Sequence, residues 1–193
     1  METMQFEEYQ RLAMRTSPKG HDRVRNGCLG LIGESGEIVD AVKKWEFQSG
    51  DHAEIPVDKL IDECGDVLWY CAELATGLED SLERLFDRFG AEFYGDLHPL
   101  NSAADRLDTI CVRLSYACGR PFQSLYEMTA SGADETFCIA EAKGQIVGII
   151  VTVLDILENL NATLEDAMER NIAKLRRRYP DGFDPERSLH RTE

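Results

Sequence analysis

From Val57 to Leu78, apolar or small side chains stand at Val57, Ile61, Cys64, Leu68, Cys71, Ala75 and Leu78, at alternating spacings of four and three. That period matches the turn of an α-helix and not the two-residue alternation of a strand, so burying this stripe calls for one long helix. Leu31, Ile38 and Val42 mark a second stripe on the segment before it. Few prolines and few alternating β-branched runs argue against a substantial sheet. The expected fold class is therefore all-α. Helices are predicted near 5–15, 26–46, 56–77, 79–89, 102–118, 137–160 and 164–178, with loops near 90–101 and 131–135. Thr76-Gly-Leu-Glu79 and Thr163-Leu-Glu-Asp166 read as helix-start capping patterns. At 193 residues and 43% hydrophobic content, the chain can bury a core as one domain or as two fused small bundles.

Both long helices carry acid pairs, Glu34-x-x-Glu37 and Glu63-x-x-Asp66. Residues three apart share a helix face, and these acids lie away from the apolar stripes. If the two helices pack together, four carboxylates converge and repel, and a cation is needed to offset them. Hard oxygen ligands without His or Cys select Mg²⁺, with Mn²⁺ as the other fit. Lys44 shares the face of Glu34 and Glu37 and places a positive charge beside them. The bland reading is a solvated face of Glu–Lys pairs. Gly30, Gly33 and Gly36 punctuate the first acid helix; each costs about 1 kcal/mol against Ala there, so they suggest close approach by a neighbouring helix or a bulky anion. Trp69 and Tyr70 either stack on a base or belong to the core.

At these residues the chain resembles MazG-like nucleotide pyrophosphohydrolases. The resemblance rests on Glu8-Tyr-Gln10, Leu29-Gly-Leu-Ile-Gly-Glu-Ser-Gly-Glu37, Asp40, Lys43-Lys44 and Glu63-Cys-Gly-Asp-Val-Leu-Trp-Tyr70. Near the other end it rests on Glu169-Arg-Asn-Ile-Ala-Lys-Leu-Arg-Arg-Arg-Tyr-Pro-Asp-Gly-Phe183 and Glu186-Arg-Ser188. It implies an all-α bundle that uses Mg²⁺ to hydrolyse a nucleoside triphosphate, ribo- or deoxyribo-, to the monophosphate and pyrophosphate. On that reading Glu34, Glu37, Glu63 and Asp66 are the metal-binding and catalytic residues. Lys174, with Lys43 or Lys44, offsets phosphate charge, Asn171 meets sugar or base, and Arg178, on the same face of the closing helix, is a further substrate-binding candidate.

Leu78-Glu-Asp-Ser-Leu-Glu-Arg84 recurs as Leu164-Glu-Asp-Ala-Met-Glu-Arg170. On the same shift, Leu60–Leu74 aligns with Ile146–Leu160. The pattern reads as a diverged tandem duplication, a fused pseudo-dimer in one all-α domain, with residues 1–90 bearing the acids and 101–193 the degenerate second half. Ile149 and Thr152 take the places of Glu63 and Asp66, whereas Leu85 and Arg88 take those of Asn171 and Lys174. One composite site is the simplest account, with acids from the first half and amide and lysine from the second. An unrelated helical insertion is the competing explanation.

A formal net charge of −15 disfavours non-specific binding to nucleic acid. The six cysteines show no zinc spacing, and buried, reduced thiols are expected. With no signal peptide or long apolar span recognised, the chain is expected in the cytoplasm, without a membrane partner. An apolar outer face leaves room for a homodimer. His21, His52, His98 and His190 fall in expected loops or the tail; His21 precedes the acid helix but reads first as an exposed loop residue. Two rivals to a nucleoside triphosphate hydrolase stand: a phosphoribosyl-ATP-type pyrophosphohydrolase, and a non-catalytic nucleotide sensor or assembly module. A di-iron bundle lacks its Glu-x-x-His pattern.

Overall fold

The computed structural model describes residues 4–50, 54–97 and 106–185, and these contain seven α-helices and no strand. They are α1 (Phe6–Ala13), α2 (Arg23–Gln48), α3 (Val57–Gly77), α4 (Leu82–Leu97), α5 (Leu107–Phe122), α6 (Glu135–Asn159) and α7 (Leu164–Arg178). The all-α expectation holds. His52, His98, His190 and Glu186-Arg-Ser188 lie outside the described residues.

Several boundaries differ from expectation for identifiable reasons. α2 starts three residues early because the Asp22 carboxylate caps it, accepting the Arg25 N–H at 3.0 Å. Thr76 does not cap α4: its hydroxyl donates back to Ala72 O at 2.7 Å inside α3. Glu79 then turns the chain in the left-handed region (φ 57°), and α4 begins at Leu82, where Ser81 Oγ accepts the Arg84 N–H at 3.3 Å. The loop expected from Gly90 is helical through Leu97, and 98–101 lie outside the described residues. α5 does not stop at Cys118; it continues through Pro121 into a π-helical stretch, Gln123–Met128. The expected capping box at α7 is present, with Thr163 and Asp166 bonding reciprocally.

The apolar stripes face inward as the periodicity dictates. Leu31, Ile38 and Val42 of α2 and Ile61, Cys64, Leu68, Cys71 and Ala75 of α3 are buried, while Val57 at the helix start stays exposed. All six cysteines are free and buried. α6 is by length and composition apolar enough to cross a membrane, unlike anything recognised in the sequence, yet its apolar residues are largely packed inside this bundle. α3 packs on α2 and α7, α6 packs on α5 and α4, and α2 also packs on α5.

Glycines set the closest approaches. A Cβ at Gly27 would stand 2.8 Å from Leu74 Cβ, and one at Gly30 would stand 2.1 Å from the Tyr70 ring, so α2 and α3 touch backbone to side chain. Gly33 and Gly36 face open space; of the four glycines of α2, Gly27 and Gly30 serve the packing against α3. Gly65 brings in α7, because a Cβ there would meet Ala167 O and Asn171 Cβ at 2.9 Å each. Those atoms belong to a packed helix and not to a flexible tip. Gly65→Val is expected to destabilise the protein by about 1–3 kcal/mol through overpacking, read as a lower midpoint in urea unfolding with an unchanged slope.

Candidate metal and nucleotide site

α2 and α3 run side by side, and each presents acids toward the face on which α7 closes. Single carboxylate oxygens of Glu34, Glu63 and Asp66 lie within 4.8 Å of one another. The three side chains are half-buried. Glu37, one turn along α2, is exposed and lies outside this triad, although its charge still reaches Glu34 and Glu63. The spacing argument thus brings three of the four acids together and leaves the fourth at the rim.

Burial and mutual repulsion raise the acids' proton affinity. The Glu34 carboxyl is pushed from the ordinary 4.5 up to about 7, first by burial, then by Asp66 and Glu63, with Lys174 opposing. Glu63 is raised by the same causes in the same order: burial, then Asp66. A carboxylate raised in the folded state contributes stability that is complete below pH 4.5 and is lost as pH climbs through about 7. For a half-buried, solvent-screened group the loss is on the order of 1–2 kcal/mol. In chelator, the melting temperature should fall by about 2–8 °C between pH 5 and pH 8. Glu34→Gln should flatten that dependence.

Asp66 is the node that joins the two halves of the chain. Its Oδ1 accepts from Asn171 Nδ2 at 2.8 Å and its Oδ2 from Lys174 Nζ at 2.5 Å. Asn171 is buried, and its Oδ1 lies 3.1 Å from the hydroxyl of Tyr9, which also reaches Gly65 O at 3.2 Å. With its oxygen facing a hydroxyl donor, the amide must turn its nitrogen to Asp66. Tyr9 is fully buried, and burial, followed by the Asp66 charge, holds its phenol well above the usual range; it stays a neutral donor. In the sequence Tyr9 stands only within the Glu8-Tyr-Gln10 motif, with no role assigned to it, since a lone aromatic on a short helix carries no periodic signal. Arg170 secures α7 further, bonding Asp62 and Asp58 of α3 at 2.8 Å each.

Lys43 and Lys44 stand elsewhere. Both pair with Asp40 on their own helix, Lys44 at 2.6 Å, so neither is drawn to the acid triad. Their link holds the Asp40 carboxyl down at about 2. Sharing a face with Glu37 was read correctly, but a carboxylate three and four residues back is the nearer partner.

A cleft of about 250 Å³ opens beside the acids. Glu34 and Asp66 line one end, and Thr16, Pro18 and Asn26 line another part of its wall. Trp69 and Tyr70 contribute rings from α3, and Arg178, Tyr179 and Phe183 contribute from the end of α7 and the residues after it. Trp69 lines the cleft, yet its indole N–H is committed to Ala13 O at 3.2 Å and Thr16 Oγ1 at 3.1 Å. His21, expected as an exposed loop residue, instead places Nε2 2.5 Å from Oε1 of Glu73. Glu73 is fully buried, accepts from Ser17 Oγ at 3.2 Å and has Arg23 Nη1 at 3.6 Å. This buried carboxylate fastens residues 17–23, which carry part of the cleft wall, to α3.

Residues 25–88 match the family model described as the MazG nucleotide pyrophosphohydrolase domain. A curated relative, the "Gene 37 protein" of Mycobacterium phage L5, is 38% identical over 79 residues, covering 40% of this chain and 63% of the relative. The chain thus spans a little under two thirds of that relative's length. No solved structure matches the chain. The matched residues hold all four acids and Asn26 but stop short of Asn171, Lys174 and Arg178.

Proposed function

We propose that the chain, whose residues 25–88 match the MazG nucleotide pyrophosphohydrolase domain model, hydrolyses a nucleoside triphosphate to the monophosphate and pyrophosphate with Mg²⁺ or Mn²⁺. The observation that carries this reading is the convergence of three elements on one cleft. α2 and α3 supply the acid triad, and α7 sets Lys174 against Asp66.

The donor set fits a hard divalent cation. Three carboxylate oxygens gather without imidazole or thiolate, and Glu34 is pushed toward neutrality by burial and by acidic neighbours that one lysine does not offset. Glu34, Glu63 and Asp66 would hold the ion, with Glu37 at the rim. When bound, it would screen the triphosphate oxygens and acidify water. The protein's own groups do the rest. Lys174 stands where a phosphate beside Asp66 would meet its ammonium. Tyr9 fixes Asn171, and Asn171 fixes Asp66, so the acid is held before substrate arrives. A carboxylate of the cluster takes the proton from the attacking water at the α-phosphorus, and pyrophosphate leaves. Arg178 and the aromatic rings of the cleft give the nucleoside its walls.

A duplicated ancestry also fits the packing. If α3 corresponds to α6 and α4 to α7, then the α3–α7 contact and the α6–α4 contact exchange, as a two-fold relation requires. The second half has Ile149 and Thr152 where the acids would stand, so a fused pseudo-dimer would keep one site. The test is a Mg²⁺-dependent pyrophosphate-release screen over the eight common ribo- and deoxyribonucleoside triphosphates, with calorimetry using a non-hydrolysable analogue. Release of pyrophosphate and one analogue per chain are expected. Two analogues per chain would overturn the single composite site. Binding without release would favour a sensor, and release from phosphoribosyl-ATP alone would favour the related hydrolase.

A further inference from the structure

Most polar groups around the cleft are already committed. The Thr16 hydroxyl donates to Ala13 O at 2.8 Å and accepts the Trp69 indole N–H. Asp66 is occupied by Asn171 and Lys174. Asn26 is different. Its side chain lines the cleft, half-buried, and makes no hydrogen bond with any described residue. An amide offers two donors and an acceptor oxygen, and here all are unspent inside a cleft with aromatic walls.

Its position along α2 is also informative. Asn26 precedes Glu34 by eight residues, about 12 Å along the helix axis, so one helix carries the acid end and the amide end a nucleoside's length apart. Asn26, Gly30, Gly33 and Glu37 follow one another at spacings of four, three and four, which keeps them on one face. Gly30 lets the Tyr70 ring lie directly on the α2 backbone. Tyr70 in turn meets Trp69 edge-on, with ring centroids 4.8 Å apart. The aromatic wall beside the amide is therefore fixed by packing. Gly33, between the amide and Glu37, leaves open space.

We propose that Asn26 reads the hydrogen-bonding edge of the bound base and is the specificity-determining residue of the cleft. The proposal rests on the reading of this cleft as the nucleotide site. A base lying along the Tyr70 wall presents its edge to the amide, which pairs with adjacent donor and acceptor groups. Replacing the amide by a carboxylate removes the donors and leaves acceptors only. A carboxylate accepts from an exocyclic amino group, as on cytosine, and repels the carbonyl that uracil has in its place.

The experiment measures kcat/KM for CTP and UTP, and for dCTP and dUTP, in the wild type, Asn26→Asp and Asn26→Ala. These pairs match in ring size and differ at one edge. Asn26→Asp is expected to move the cytosine-to-uracil ratio toward cytosine by tenfold or more, and Asn26→Ala to bring the ratio toward unity, chiefly through KM. Asn26 is on a half-exposed helix face, so both variants should keep wild-type circular dichroism; a fold-damaging change would lower both substrates together and leave their ratio alone. Ratios that stay within twofold of wild type in both variants would overturn the proposal while leaving the hydrolase reading intact. A wild-type chain that neither cleaves nor binds any nucleoside triphosphate would overturn the nucleotide reading, and the base contact with it.

Discussion

Glu63→Ala is expected to lower pyrophosphate release by about a thousandfold or more while leaving the helical content unchanged. Glu63 supplies one of three oxygens that lie within 4.8 Å of one another, and a catalytic divalent ion contributes several kcal/mol of charge stabilisation, which is a factor of that order in rate. The loss should persist at saturating substrate, because it falls on kcat. The same substitution removes a charge that already raises its neighbour Glu34, so the metal-free variant should melt at or above the wild-type temperature at pH 8. Activity within tenfold of wild type would remove Glu63 from the site. A large drop in melting temperature would assign it a structural role instead.

Lys174→Ala is expected to cost roughly ten- to a hundredfold in kcat/KM, the value of a charge-assisted contact of about 1.5–3 kcal/mol. Lys174 reaches Asp66 from 108 residues further along the chain, so the effect measures how far the second half completes the first. Lys174→Arg should rescue only part, since a planar fork and a compact ammonium present charge differently. Lysine also lowers the proton affinity of Glu34 and Glu63. Its removal should therefore steepen the loss of metal-free stability between pH 5 and pH 8. Unchanged kinetics in Lys174→Ala would mark the lysine as a partner of Asp66 alone.

The helices were legible because each long stripe has one solution: Leu31, Ile38 and Val42 can be buried together only on a helix, and they are. The convergence of Glu34, Glu63 and Asp66 was legible for the same reason, since acids off the apolar face of two packed helices must meet along the seam. What periodicity could not supply was the third dimension of contact. Gly65 reads as one small residue among many until α7 is docked on it, and only then do Asn171 and Tyr9 become neighbours of Asp66. Glu73 is a second case. It lies on α3 seven residues beyond Asp66 and carries no signal of its own in the sequence, yet residues 17–23 fold over it and bury it completely. Lys44 falls on the face of Glu34 and Glu37, and periodicity alone does not show that both it and Lys43 pair with Asp40, the nearer acid on their own helix.

The 108 residues between Asp66 and Lys174 also impose an order in time. At about 5–20 residues per second, synthesis of the closing helix follows that of the second acid by roughly 5–20 s. During that interval a nascent chain holds Glu34, Glu63 and Asp66 with neither the lysine that offsets them nor the amide that orients Asp66. The acids of α2 and α3 then repel one another without a counter-charge, and the arrival of α7 supplies the lysine and the amide that are set against Asp66. A chain interrupted before residue 164 keeps its acids without the groups that arrange Asp66.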